Sequence, residues 1–191
     1  MSLLATLARP FTRDRGERRT IEAIYGMIVT QARRPEFYAD LSVRDTVNGR
    51  FDMVVLHLWI VLHRLRGIAS AGPLAQGLFD HFCNDMDANL REMGVGDLTV
   101  PKRMQSFGEA FYGRVAAYDA ALEAGEPALA AAFGRNILGA GPAADGDEVS
   151  AADSPSGRIA HYALTTISRL AAMSDAAIVA QDWAFPAVTE G

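Results

Sequence analysis

Residues 48–66 constrain this chain more than any other stretch, because they are apolar on two opposite sides of a helix. Phe51, Val54, Val55, Leu58, Val61, Leu62 and Leu65 fall on one stripe at about 100° per residue, and Met53, Leu56 and Ile60 populate the other side. A helix that is apolar on one stripe lies on a surface, whereas one that is apolar on two must be surrounded. The uncharged run 53–63 is also far shorter than the roughly 20 residues of a membrane span, and it ends at His63, Arg64 and Arg66. The stretch therefore predicts the central helix of a globular bundle.

The rest of the chain supplies helices to surround it. In residues 17–33, Ile21, Ile24, Tyr25, Ile28, Val29 and Ala32 share one arc, with the charges elsewhere. Pro73 suits the first turn of a helix whose Leu78, Phe79, Phe82, Cys83, Met86, Leu90 and Met93 make a broad apolar face ending at Gly94. Residues 94–101 read as a turn, and Pro101 then opens a helix lined by Met104, Phe107, Phe111, Val115, Tyr118 and Leu122 that stops near Gly125. Ala110, Gly113, Ala117 and Ala121 add a small-residue stripe that would admit a close neighbour, so this helix is expected to be internal too.

Between these helices, residues 35–46 are expected to form a connection that docks Phe37, Tyr38 and Leu41 on the core. A short helix is expected over 127–138. Residues 139–157, rich in Gly, Pro, Ala, Asp and Ser, read as a mobile loop. Ile159, Ala163, Thr166, Ile167, Leu170 and Met173 support a last long helix, and Ile178, Val179, Trp183 and Phe185 a tail that folds back. No stretch alternates like a strand, no repeat appears and no composition change marks a boundary. The expectation is all-α, a single domain over 1–191 with about five to seven helices: a flexible segment 1–16, a core 20–138, the loop 139–157 and a C-terminal helix and tail 158–191.

Charge narrows the partners. The formal net charge of -5 argues against DNA and other nucleic acids, which need clustered Lys and Arg to displace counterions. The distribution is uneven: residues 1–20 carry Arg9, Arg13, Arg15, Arg18 and Arg19 against Asp14 and Glu17, so residues 1–19 could touch an anionic membrane surface. The N-terminus reads as a poor signal peptide, so a cytoplasmic location is expected, with peripheral contact at the inner face of the membrane as the variant. The single cysteine, Cys83, forms no intramolecular disulfide and lies on an apolar face that would raise its pKa.

Candidate catalytic and metal residues are few. His57 and His63 sit about 120° apart on their helix and cannot chelate one ion together. His81 and Asp85 share a face, with Glu92 beyond them, yet no second ligand pair accompanies them. The turn 94–97 lacks the strand and third glycine of a dinucleotide loop. No metal, cofactor or enzymatic activity is expected. Asp80, Asn84, Asp87 and Arg91 instead make a polar stripe opposite the apolar face, readable as a solvated or a partner-binding surface.

Residues 78–102, LFDHFCNDMDANLREMGVGDLTVPK, followed by Phe111-Tyr-Gly-Arg114 and Ala117-Tyr-Asp119, carry a resemblance to a known family. The order of an aspartate-rich helix, a glycine corner and an aromatic helix resembles the ubiquinol-cytochrome c chaperone family, and 37–40, 49–52 and 62–65 are similar to it as well. The likeness covers about residues 20–125; Pro101, where members carry a small residue, and the stretch after Gly139 depart from the pattern.

The resemblance implies a non-enzymatic assembly factor that binds newly made cytochrome b, or another membrane-protein client, and helps it into the cytochrome bc complex. A ribosome or a co-chaperone is a further implied partner. In that reading Asp80, Asn84, Asp87, Arg91, Glu92, Asp97, Lys102, Phe111, Tyr112 and Arg114 meet the partner, while Gly94 and Gly96 permit the turn. The rival from another class is a helical binder of a small apolar ligand such as a quinone or lipid, which would need an interhelical cavity of about 300 Å³ or more.

Overall fold

The computed structural model describes residues 15–139 and 152–188, and among them every regular element is helical. In chain order these are α1 (Arg15–Ala32), α2 (Pro35–Ala39), α3 (Val47–Arg66), α4 (Gly72–Glu92), α5 (Val100–Ala124), α6 (Glu126–Phe133), a π-helical turn (Gly134–Leu138), α7 (Pro155–Ala172) and α8 (Asp175–Val179). No helix among the described residues is long and apolar enough to cross a membrane. Residues 1–14, most of the segment expected to meet a membrane, lie outside the described residues, as do residues 140–151 of the expected loop.

α3 is the axis of the bundle, as its two-sided pattern predicts. Every residue from Phe51 to Val61 is buried, and α1, α4, α5, α7 and the π-helical turn all pack on it. Its start is fixed locally. Thr46 is extended, and its Oγ1 accepts a hydrogen bond from the Gly49 amide at 3.1 Å, satisfying one of the orphan donors of the first turn. Residue 49 must be glycine, because a Cβ there would stand 2.0 Å from the Arg44 carbonyl oxygen. Replacing Thr46 with alanine should cost about 1 kcal/mol of stability by urea titration; an unchanged midpoint would mean that the cap bond contributes nothing.

Polar groups hold the outer helices in register. Gln31 of α1 donates from Nε2 to Tyr162 Oη and to the Pro186 carbonyl, each at 3.0 Å. The Tyr162 hydroxyl donates to His57 Nε2 at 3.0 Å, and His57 Nδ1 donates to the Met53 carbonyl at 2.7 Å, because a carbonyl can only accept. One chain of bonds thus joins α1, α3, α7 and the C-terminal tail. The tail does fold back: Trp183, Pro186 and Val188 are buried, and Phe185 meets the His57 ring edge-on at 5.2 Å. Arg64 closes the other end of α7, donating to the Leu170 and Met173 carbonyls at 2.8 and 3.0 Å and pairing with Asp175 at 2.7 Å.

Four expectations need correction. Residues 35–39, expected within a connection, form a short helix, since Pro35 occupies its first turn without needing a donor. The helix expected over 127–138 is α-helical only to Phe133 and then widens into the π-helical turn, which Gly139 ends at φ +66°. α7 starts at Pro155, inside the expected loop, because Ser154 Oγ accepts from the Gly157 amide at 3.0 Å and caps it. α5 is not internal: only Val100, Phe111, Tyr118 and Ala121 are buried, and nothing comes within 4 Å of a Cβ placed on Gly113.

Candidate functional site

The residues singled out from sequence lie on the hairpin of α4 and α5. Its corner is set by backbone chemistry. The Gly94 amide donates to the Arg91 carbonyl and the Val95 amide to the Leu90 carbonyl, both at 3.0 Å, which is the Schellman closure of a helix end. That closure needs a left-handed residue, and Gly94 sits at φ +79°. The Gly96 carbonyl then accepts the Thr99 and Val100 amides at 2.7 and 3.2 Å, turning the chain into α5. Leu90 and Val100 are buried here, outside the main core cluster.

Around this corner the structure gathers Asp87, Arg91, Glu92, Gly94, Gly96, Asp97 and Lys102. Arg91 donates from Nε to Asp87 at 2.7 Å and from Nη1 to Asp97, so its guanidinium bridges helix and turn. All three side chains are substantially solvated, so the bridge shapes the corner more than it stabilises the fold. Beside it stand exposed apolar groups: Met93 is 53% exposed and Leu98 99%. Neither side chain contributes to the buried core.

The remaining predicted residues go elsewhere. Asp80 and Asn84 line an open groove of about 220 Å³ between α1 and α4, with Arg18, Ile21, Glu22, Gly77 and His81. Asp80 accepts from Gln76 at 2.7 Å. The neighbouring His81 and Asp85 are tied to α1: the Tyr25 hydroxyl donates to Asp85 at 2.8 Å, its ring lies 4.7 Å from the His81 ring, and burial and Asp85 together raise the phenol pKa. That accounts for the pair structurally. Among the described residues no three His, Cys, Asp or Glu side chains cluster as a metal site.

Phe111 and Arg114 turn inward, whereas Tyr112 is 61% exposed. Phe111 packs at 5.0 Å from Phe79 and 5.6 Å from Phe82, and Tyr112 covers Phe79 at 5.7 Å. Phe107 meets Phe51 of α3 at 5.0 Å. An aromatic seam therefore closes the hairpin against the central helix. Arg114 stands over the Phe51 ring and pairs with Asp52 at 2.7 Å. Sequence reasoning missed Asp52. The available signal was an acid inside a run that is otherwise apolar, since a buried carboxylate needs a partner. Cys83 is half-buried beside the seam, and burial pushes its thiol pKa up, which leaves it a poor nucleophile.

Similarity to known proteins follows the same region. Residues 39–185 match the family model described as "Ubiquinol-cytochrome C chaperone". The crystal structure of the Cbp3 homolog from Brucella abortus aligns with a TM-score of 0.77 and 39% identity, covering 92% of this chain and 93% of that one. The ubiquinol-cytochrome-c reductase complex assembly factor 1 of Xenopus laevis is 29% identical over 116 residues, and that of Homo sapiens 28%. The aligned part is 60% of this chain, 58% of the frog protein and 39% of the human one. With more than half of its length inside the family model, and a solved relative matching nearly end to end, the chain belongs to the ubiquinol-cytochrome c chaperone family.

Proposed function

We propose that this protein is a non-enzymatic assembly chaperone for ubiquinol-cytochrome c reductase, and that it holds newly made cytochrome b through the α4–α5 hairpin. The carrying observation is the corner itself: Met93 and Leu98 project into water from a backbone turn fixed by Gly94, with Asp87, Arg91 and Asp97 arranged beside them. A membrane-protein client offers apolar helices joined by polar loops. Exposed Met, Leu and Tyr side chains give such helices an adaptable contact, and the rim charges set orientation. Family membership and the names of the relatives support the complex as destination. A ribosome surface, a co-chaperone or a membrane could meet the same protein through its other faces.

The rival, a carrier of a small apolar ligand, calls for an enclosed cavity. The groove between α1 and α4, about 220 Å³, is open, and so is a second of about 270 Å³ between α3 and α7, lined by Ile60, His63, Arg64 and Ile167. The hairpin is the better supported surface.

Deleting the gene should lower assembled cytochrome bc complex and haem-loaded cytochrome b together; normal levels of both would refute the reading. For the face, changing Asp87, Glu92 and Asp97 together to lysine should abolish co-purification of cytochrome b. Helical circular dichroism and the melting temperature should barely move, because these side chains stand at or near the solvent. Unfolding of that variant would make the three acids structural.

A further inference from the structure

Charge is divided between the hairpin and the helices beneath it. Residues 72–124, which hold α4 and α5, carry eight acidic side chains against four basic ones, whereas residues 15–66 carry six acids against nine arginines. Part of the hairpin's charge is used internally. Asp119 holds Arg66 and Arg114 holds Asp52, both of α3, while Asp87 and Asp97 share Arg91. Glu92, Glu109 and Glu123 are exposed and form no ion pair among the described residues. The exposed cations beside them, Lys102 and Arg103, are confined to the first turn of α5.

These three carboxylates border exposed apolar groups. Glu109 and Glu123 lie three residues before and eleven after Tyr112, which puts all three on one face of α5, and Glu92 precedes Met93 at the corner. Tyr112 is 61% exposed, and Met93 and Leu98 stand in water beside the turn. A purely apolar segment laid across this surface would strip water from the carboxylates and return nothing for it. A segment that brings cations to the same places meets both demands. Membrane proteins contain such segments, because their cytoplasmic loops carry an excess of Lys and Arg within about 15–20 residues of each span.

We propose that the hairpin recognises the Lys- or Arg-bearing end of an apolar client helix, where a membrane span runs into a cytoplasmic loop. The inference rests on the chaperone reading and names the part of the client that is held. Glu92, Glu109 and Glu123 pair with the flanking cations, and Met93, Leu98 and Tyr112 meet the apolar turns. The positive balance of residues 15–66 repels the same segment, so the sign of its charge steers it to the hairpin.

The test is binding of labelled synthetic peptides to the whole protein, read by fluorescence anisotropy. Each peptide has the same body of leucine and alanine, flanked at one end either by lysines or by glutamates. The lysine peptide should bind about tenfold more tightly in dilute buffer, and the ratio should fall below about threefold in about 0.5 M salt. Equal affinities for the wild type overturn the proposal, and that comparison needs no variant to fold.

Two variants of equal charge separate the hairpin from net charge. Glu92→Gln, Glu109→Gln and Glu123→Gln combined should abolish the preference. Asp40→Asn, Asp153→Asn and Asp182→Asn combined, which neutralise exposed acids off the hairpin, should keep it. A preference that survives the first variant, or that both variants lose alike, overturns the assignment. Loss of the cytochrome bc complex on gene deletion, with equal peptide affinities, counts against this inference alone. Normal levels of the complex with the lysine preference intact count against the chaperone reading instead.

Discussion

Replacing Trp59 with alanine should cost 3–5 kcal/mol, the range for deleting a large aromatic from a packed core. Trp59 is fully buried on the central helix, edge-on to Tyr118 at 5.4 Å and to Phe133 at 6.3 Å. It is thus where α3 meets both α5 and the end of α6. Its Nε1 also donates to Asp119 at 2.8 Å, so truncation removes a hydrogen bond as well as ring volume. Asp119 retains Arg66, whose bidentate bond chiefly holds its carboxyl below the usual range, so no carboxylate is orphaned. Typical domains are stable by only 5–15 kcal/mol, so the loss would be a large share of the total. Trp59→Phe separates the terms: it keeps an aromatic edge and should cost about 1 kcal/mol for the missing donor, plus the smaller ring. Urea titration followed by Trp183 fluorescence reads both. A loss below 1 kcal/mol for the alanine variant would show that the site collapses around the hole, and that α3 is less central than its burial indicates.

The centrality of α3 was legible before any coordinates, because apolar residues on two sides of one helix leave few alternatives. The hairpin was legible too: Pro73, Gly94, Pro101 and Gly125 punctuate α4 and α5 to within one or two residues. The exposure of α5 was not. Met104, Phe107, Phe111, Val115 and Tyr118 announce an apolar face, but periodicity says nothing of how much of the opposite face another element covers. Ala110, Gly113, Ala117 and Ala121 look the same whether a neighbour approaches or water does. The placement of Phe111 and Arg114 was hidden for a related reason. A motif shows that residues travel together, yet Arg114 turns inward only because Asp52 waits on α3, 62 positions earlier. Long-range polar pairing leaves no local period to detect.

The same limit applies to His57, and it leads to the second large effect. The sequence shows a histidine on an apolar helix; the fold fixes its state. Burial drives its pKa down to about 4, and the Met53 carbonyl only partly opposes this. In the unfolded chain it titrates near 6.5. Between these values the unfolded state binds more protons than the folded one, so stability is fully present above about pH 6.5 and is lost as pH falls toward 4. Each unit of that window amounts to about 1.4 kcal/mol, so moving from pH 7.5 to 4.5 should remove on the order of 2–3 kcal/mol through this residue. Asp52 acts oppositely over nearly the same window, since its raised pKa favours the folded state on the acid side. The total acid response of the wild type is therefore flatter than either group alone would give. A difference measurement isolates the histidine. The stability of the wild type minus that of His57→Gln, by urea titration, should shrink by about 2–3 kcal/mol from pH 7.5 to 4.5. A gap that stays constant across that range would mean that His57 keeps its proton equilibrium on folding, through water entry at the Tyr162 and Phe185 contacts that enclose it.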